Sequence, residues 1–102
     1  MGEDVLKKID QEVKSHPVLI YMKGTPEEPM CGFSAQTIEI FKKLGVPFEA
    51  RNVLEDEGLR EAVKTYSNWP TIPQVYVHGK FIGGCDIVTE LYEEGELQKL
   101  VK

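Results

Sequence analysis

The chain has 102 residues, of which 41% are hydrophobic and 28% charged, and its formal net charge is −5. This composition excludes a disordered chain, and the acidic balance argues against general binding of nucleic acid or of an acidic membrane surface. No apolar run reaches transmembrane length, and the acidic start predicts neither a signal nor a transit peptide. We therefore expect one domain over residues 1–102 in the cytoplasm, or in the mitochondrial matrix or another organelle if a presequence was removed.

Hydrophobic periodicity and breaker residues divide the chain into helices and strands. A first helix is predicted with Asp4 as its N-cap and its end at Ser15-His16, and the apolar run Val18–Met22 predicts a strand buried on both faces. The next predicted elements are a helix over Gly32–Leu44 with Gly45 as its left-handed cap, a strand over Phe48–Val53, a helix over Glu57–Tyr66, strands over Gln74–Val77 and Lys80–Ile82, and helices over Cys85–Glu94 and Glu96–Val101. A βαβ unit followed by a hairpin and a helix predicts an α/β fold with one mixed four-stranded sheet and helices on both faces.

One cysteine stands where the first strand leads into the second helix, in the motif Cys31-Gly32-Phe33-Ser34. A thiol at a helix N-terminus is favoured as thiolate, because the unpaired backbone N–H groups there stabilise negative charge. In a C-x-x-C redox motif the fourth position would be a second cysteine, and here it is Ser34. The motif therefore predicts a reactive, metal-capable thiolate that has no local partner for dithiol chemistry.

Three further motifs accompany this cysteine along the chain. They are Tyr21-Met22-Lys23-Gly24-Thr25-Pro26, Asn68-Trp69-Pro70-Thr71-Ile72-Pro73-Gln74 and Gly83-Gly84-Cys85-Asp86-Ile87. In this order and spacing, the four motifs resemble those of the monothiol glutaredoxins of the CGFS class, and the similarity covers nearly the whole chain. The resemblance implies a thioredoxin fold, glutathione binding and a [2Fe–2S] cluster that bridges two protomers.

In that family each subunit provides one cysteine and one glutathione thiol to the cluster, which implies that Cys31 is the iron ligand here. Iron–sulfur clusters are normally held by four thiolates, and a dimer with two glutathiones supplies four. The resemblance thus implies a homodimer when the cluster is bound, exchange with an iron–sulfur assembly scaffold and apo-protein recipients, a BolA-like partner, and a role in iron homeostasis.

The resemblance also implies which residues bind glutathione. Lys23 and Arg60 are similar to the residues that bind its glycine carboxylate, and Lys64 is a third cation, four residues from Arg60 on one helix face. Ile72 would offer its backbone N–H and C=O to the cysteine of the ligand, and the following Pro73 would be cis.

The remaining two assignments lie at the start of the fourth predicted helix. There Cys85 and Asp86 would receive the γ-glutamyl carboxylate on backbone N–H groups, and Asp86 would accept a hydrogen bond from the ammonium group. Cys85 could instead be a packed neighbour, or a redox partner of Cys31.

Three of these side chains also admit a purely structural role. Arg60 and Lys64 could belong to a solvated helix face that pairs with Glu57 and Glu61. Trp69 could pack in the core, while the resemblance implies that its loop borders the cluster site and affects cluster assembly. For the function, the chain could be a cluster carrier, which we expect, or a glutathione-dependent thiol–disulfide oxidoreductase. In the second case Cys31 alone attacks a glutathionylated substrate and free glutathione resolves the product.

Overall fold

The sheet is built around β1 (Val18–Met22), in which every residue is buried. In the computed structural model, which describes residues 2–102 and leaves Met1 outside, β1 lies between a parallel and an antiparallel neighbour. The parallel neighbour is β2 (Glu49–Asn52), and the antiparallel one is β3 (Gln74–Val77), which pairs on its other side with β4 (Lys80–Gly83). The strand order is β2-β1-β3-β4, so the predicted mixed four-stranded sheet is confirmed.

Helices cover both faces of this sheet. On one face lie α1 (Gly2–Ser15) and α3 (Glu57–Ser67), and on the other lie α2 (Gly32–Leu44), α4 (Cys85–Glu93) and α5 (Glu96–Leu100). The alternation of side chains along β1 divides the core accordingly. Leu19 and Tyr21 pack towards α1 and α3, while the residues between and beside them pack towards α2 and α4.

Two predicted elements differ from the observed ones. The first helix begins at Gly2, so Asp4 is not its N-cap but lies in its first turn, where a carboxylate still favours the helix dipole. The strand predicted over Phe48–Val53 is shorter at both ends. Asn52 accepts a hydrogen bond from the N–H of Leu54 at 3.0 Å, and this bond starts a 3₁₀ turn at Val53 in place of a further strand residue.

The other elements begin and end within one residue of their predicted bounds. Gly45 caps α2 with φ 72°, the left-handed conformation that glycine adopts without steric cost, as predicted. No helix within residues 2–102 has the length and apolar character needed to cross a membrane.

Two buried tyrosines differ in what their hydroxyl groups contact. The hydroxyl of Tyr76 donates to Oε1 of Gln74 at 3.0 Å, whereas that of Tyr21 has no hydrogen-bond partner among residues 2–102. Their rings pack edge to face, with centroids 6.0 Å apart. Burial raises the pKa of both phenols, so both stay protonated near neutral pH.

We expect Tyr76→Phe to lower the free energy of unfolding by about 1–3 kcal/mol, because it leaves the buried oxygen of Gln74 without its donor. Tyr21→Phe removes a hydroxyl that gains nothing from burial, and should be neutral or stabilising. Urea unfolding of the two single variants measures the difference. A greater loss for Tyr21→Phe than for Tyr76→Phe would contradict this assignment of their hydroxyls.

Candidate functional site

Cys31 is the N-cap residue of α2, with extended backbone angles of φ −155° and ψ 136°. The pKa of its thiol is lowered, chiefly by the backbone N–H of Ser34, then by that of Phe33 and by the charge of Lys23, while burial acts in the opposite direction. Because the neutral thiol forms no capping hydrogen bond, we attribute the lowered pKa to backbone N–H groups that would donate hydrogen bonds to the thiolate. The predicted setting for a stabilised thiolate is therefore present.

Ser34, which sequence reasoning treated only as a missing thiol, has a contact of its own. Its side chain is fully buried, and its Oγ accepts a hydrogen bond from the N–H of Lys23 at 3.1 Å. Its hydroxyl also helps to lower the pKa of Cys31. Ser34 thus connects the end of β1 to the first turn of α2. The signal that could have revealed this role is a serine three residues after an N-cap, where a hydroxyl reaches neighbouring backbone groups.

The segment between β1 and Cys31 is closed by hydrogen bonds at both ends. The N–H of Gly24 donates to Oδ1 of Asn52 at 2.9 Å, and the N–H of Met30 donates to the carbonyl of Lys23 at 2.9 Å. Gly24 has φ 92°, and a Cβ added there would lie 2.5 Å from the carbonyl oxygen of Glu28, so the path of the chain requires glycine. The approach to Cys31 is therefore built by β2 as well as by β1.

A cavity of about 380 Å³ opens beside Cys31. All of the residues predicted for the site line it, namely Lys23, Cys31, Arg60, Lys64, Ile72, Cys85 and Asp86. The lining also includes Phe33, Trp69, Pro70, Thr71, Gly84 and Ile87, which sequence reasoning did not assign to ligand binding. Five separate parts of the chain thus converge on one concave surface, as binding sites require.

The cations on α3 differ in their partners. Nζ of Lys64 lies 3.3 Å from Oε2 of Glu61, so the helix-face ion pair considered from the sequence exists alongside the position at the cavity. Nε of Arg60 is buried and has no hydrogen-bond partner among the described residues. Because a buried guanidinium N–H without a partner is costly, Arg60 is the strongest candidate for pairing with an anionic ligand.

Another part of the cavity wall is formed by the segment before β3 and the start of α4. The Ile72–Pro73 peptide bond is cis, as predicted, and Ile72 lies outside the ladder of β3, which begins at Gln74. Gly84 is the N-cap of α4, and a Cβ there would lie 3.2 Å from the carbonyl oxygen of Pro73. The close approach brings the first backbone N–H groups of α4 to the cavity.

The two cysteines, both free thiols, occupy different environments. Cys85 is buried, and its Sγ lies 3.9 Å from Oγ1 of Thr89, whereas Cys31 is half-buried at the cavity. Within residues 2–102 no three side chains of His, Cys, Asp or Glu lie together as metal ligands would. A metal centre at this cavity could therefore not take three or more such ligands from the described residues.

Comparisons with known proteins place this arrangement in a family. The family model for glutaredoxin matches residues 18–82. A monothiol glutaredoxin of Synechocystis, described as ycf64-like and uncharacterized, is 50% identical over 102 residues, covering all of this chain and 95% of that protein. The chain belongs to the monothiol glutaredoxins. This glutaredoxin is also 49% identical over 100 residues to the mitochondrial monothiol glutaredoxin-S15 of Arabidopsis thaliana, covering 97% of the chain and 59% of that longer protein.

Solved structures agree with this assignment. The solution structure of reduced poplar apo GrxS14 is 52% identical to this glutaredoxin, with a TM-score of 0.81 over 93% of this chain and 87% of that one. The crystal structure of a buckwheat glutaredoxin–glutathione complex is 26% identical, with a TM-score of 0.87 over 98% and 89% of the two chains. The predicted thioredoxin fold is confirmed.

We expect Lys23→Gln to raise the pKa of the Cys31 thiol, because the substitution removes a positive charge that favours the thiolate. The pH at which alkylation by iodoacetamide reaches half its maximal rate should move upward, with Cys31 and Cys85 followed separately by peptide mass spectrometry. Lys64→Gln is the matched control, since Lys64 lines the same cavity but is paired with Glu61. Equal shifts in both variants, or a shift in neither, would contradict the role of Lys23.

Proposed function

We propose that this glutaredoxin binds glutathione in the cavity beside Cys31. The single observation that carries the proposal is the convergence of a stabilised thiolate and three cationic side chains on one cavity. Glutathione is a small thiol with two carboxylates and one ammonium group, so it needs separate partners for its two anionic ends. The buckwheat glutaredoxin, a relative by fold and sequence, was solved as a complex with glutathione.

In this proposal the glycine carboxylate pairs with Arg60 and Lys23, since a guanidinium forms the bidentate contact that a carboxylate prefers. Lys64 adds a third positive charge on that side. The main chain of Ile72 pairs with the central cysteine of the ligand, as a strand added to a sheet edge would. This arrangement directs the thiol of glutathione towards Cys31.

The γ-glutamyl end of glutathione takes the opposite side of the cavity. Its carboxylate accepts hydrogen bonds from the backbone N–H groups of Cys85 and Asp86, where the dipole of α4 favours negative charge. The exposed carboxylate of Asp86 then pairs with the ammonium group. Cys85 contributes through its backbone in this scheme, so its thiol is not required.

We expect Arg60→Met to weaken glutathione binding about tenfold or more, because a charge-assisted hydrogen bond contributes about 1.5–3 kcal/mol. Arg51→Met is the matched control, since Arg51 pairs with Glu12 at 2.8 Å and does not line the cavity. Titration with reduced glutathione, followed by ¹⁵N chemical shifts, gives both affinities. If Arg51→Met weakens binding as much as Arg60→Met, the placement of the glycine carboxylate is wrong.

We further propose that a dimer carries a [2Fe–2S] cluster as cargo, with one Cys31 thiolate and one glutathione thiol from each protomer as its four ligands. The donor set fits, because Cys31 is an accessible, stabilised thiolate and the glutathione thiol would lie next to it. Large apolar side chains at the cavity, with Phe33 60% and Ile87 36% exposed, offer a surface for a second copy.

A cluster held partly by an exchangeable tripeptide suits transfer better than storage. We therefore propose that the dimer receives the cluster from an assembly scaffold and passes it to apo-proteins, and that a BolA-like protein can replace one protomer, in iron homeostasis. A cytoplasmic location is our prediction. The mitochondrial relative supports an organellar location as the alternative.

Anaerobic reconstitution with iron, sulfide and a thiol donor tests the carrier function. With glutathione present we expect a coloured dimer, and without it a colourless monomer, as measured by visible absorbance and native mass spectrometry. Cys31→Ser should abolish the colour, while Cys85→Ser should retain it because only the backbone of Cys85 is needed. A stable coloured dimer formed without any glutathione would contradict the proposed ligand set.

The lowered pKa of Cys31 also favours a second function, deglutathionylation. The Cys31 thiolate attacks the glutathione sulfur of a protein–glutathione disulfide and releases the protein thiolate. A second glutathione thiolate then attacks the glutathione sulfur bound to Cys31, which yields glutathione disulfide and regenerates the thiolate. Brisk turnover by a colourless monomer would favour this enzyme over the carrier.

A further inference from the structure

One fully buried polar side chain outside the cavity holds part of its wall. Gln74 is the first residue of β3 and has no exposed surface. Its Nε2 donates to the carbonyl of Trp69 at 3.1 Å and to the carbonyl of Thr71 at 3.2 Å. Its Oε1 accepts from the hydroxyl of Tyr76 at 3.0 Å. Both amide hydrogens and the oxygen of this side chain are therefore used.

In the segment from Trp69 to Ile72, two backbone carbonyls take their hydrogen bonds from a side chain outside the segment. Pro70 and Pro73 carry no backbone N–H, so the segment cannot form a regular ladder with a neighbouring strand. The N–H of Trp69 is bound by the carbonyl of Lys64, but the carbonyls of Trp69 and Thr71 face the carboxamide of Gln74. A single side chain thus fixes the backbone of the segment at two points.

The same group of residues also fixes the ring of Trp69. That ring packs against Phe81 with centroids 5.7 Å apart, and Phe81 packs against Tyr76 at 5.4 Å. Tyr76 in turn orients the carboxamide of Gln74 through its hydroxyl. The backbone and the ring of Trp69 are therefore both fixed by the same group of residues, Gln74, Tyr76 and Phe81.

We propose that Gln74 is a positioning residue, whose carboxamide sets the segment Trp69–Ile72 so that the main chain of Ile72 can pair with a thiol tripeptide in the cavity. This inference rests on the proposed glutathione binding. Gln74 itself does not line the cavity, so its effect on the ligand passes through the segment. Loss of the carboxamide would leave the carbonyls of Trp69 and Thr71 without their donor. The segment could then move away from the conformation in which Ile72 pairs with the ligand.

Gln74→Met tests the inference, because it keeps the length of the side chain and removes both donors. We expect glutathione affinity to fall about tenfold, which is the lower end of the loss seen when groups that orient metal ligands are removed. Trp69 is the single tryptophan of the chain, so its fluorescence reports on the segment directly. We expect acrylamide to quench it more strongly in Gln74→Met than in the native protein.

Val77→Ala is the control for a general loss of stability, since Val77 is buried on the same strand but packs on the other face of the sheet. It should lower the urea midpoint while leaving affinity and quenching unchanged. If Gln74→Met binds glutathione with native affinity and native quenching, or if Val77→Ala alters both equally, the proposal is overturned. Failure of the native protein to bind glutathione would instead refute the proposed function. Acrylamide quenching would then still show whether the side chain of Gln74 restrains Trp69.

Should Gln74→Met fail to fold, Gln74→Glu carries the same test. It keeps the acceptor for Tyr76 and removes the paired amide donors, so the same loss of affinity and increase in quenching are expected at neutral pH. If neither variant folds, the side chain is required by the fold and not by the cavity, and the proposal is overturned as well.

Discussion

The end of β1 is held between two side chains, and the geometry of the site depends on this arrangement. Oγ of Ser34 binds the N–H of Lys23, and Oδ1 of Asn52 binds the N–H of Gly24. The first bond connects β1 to α2, which begins after Cys31, and the second connects β1 to β2. Asn52 also binds the N–H of Leu54, at the turn that leads into α3. These bonds therefore fix the end of β1 relative to Cys31 and Lys23. They also fix it relative to α3, which carries Arg60 and Lys64.

In our proposal, the thiolate and the ligand are stabilised by the same kinds of group in this cavity, namely backbone N–H groups at helix N-termini and cationic side chains. Unpaired N–H groups stabilise charge at the start of α2, and in our proposal those at the start of α4 bind a carboxylate. Lys23 lowers the pKa of Cys31, and because it also lines the cavity, it would contribute to ligand binding in our proposal as well. If the proposal holds, a substitution of Lys23 would alter both the reactivity of Cys31 and ligand binding, whereas a substitution of Arg60, which is not among the groups that lower the pKa of Cys31, would alter binding alone.

The sequence alone predicted those elements whose position depends on residues close together in the chain. The apolar run of β1, the glycine after α2 and the motif around Cys31 each carry their own signal, and the resemblance brought the predicted cavity residues together. Long-range partners carry no such signal. Asn52 acts on Gly24, 28 residues away, and Ser34 on Lys23, 11 residues away, so neither role was predicted. The bond from Leu54 to Asn52 also explains why the strand predicted to Val53 ends early.

In our proposal, the acidity of the chain and the cations of its cavity together favour small anions over large ones. A large polyanion meets the whole protein and its net charge of −5. In our proposal a tripeptide inside the cavity would instead contact positive side chains directly, while charges more than about 8 Å away are largely screened at physiological ionic strength. The net charge therefore disfavours nucleic acids and acidic surfaces, while the cavity that we propose for glutathione would still concentrate a small anionic thiol next to Cys31.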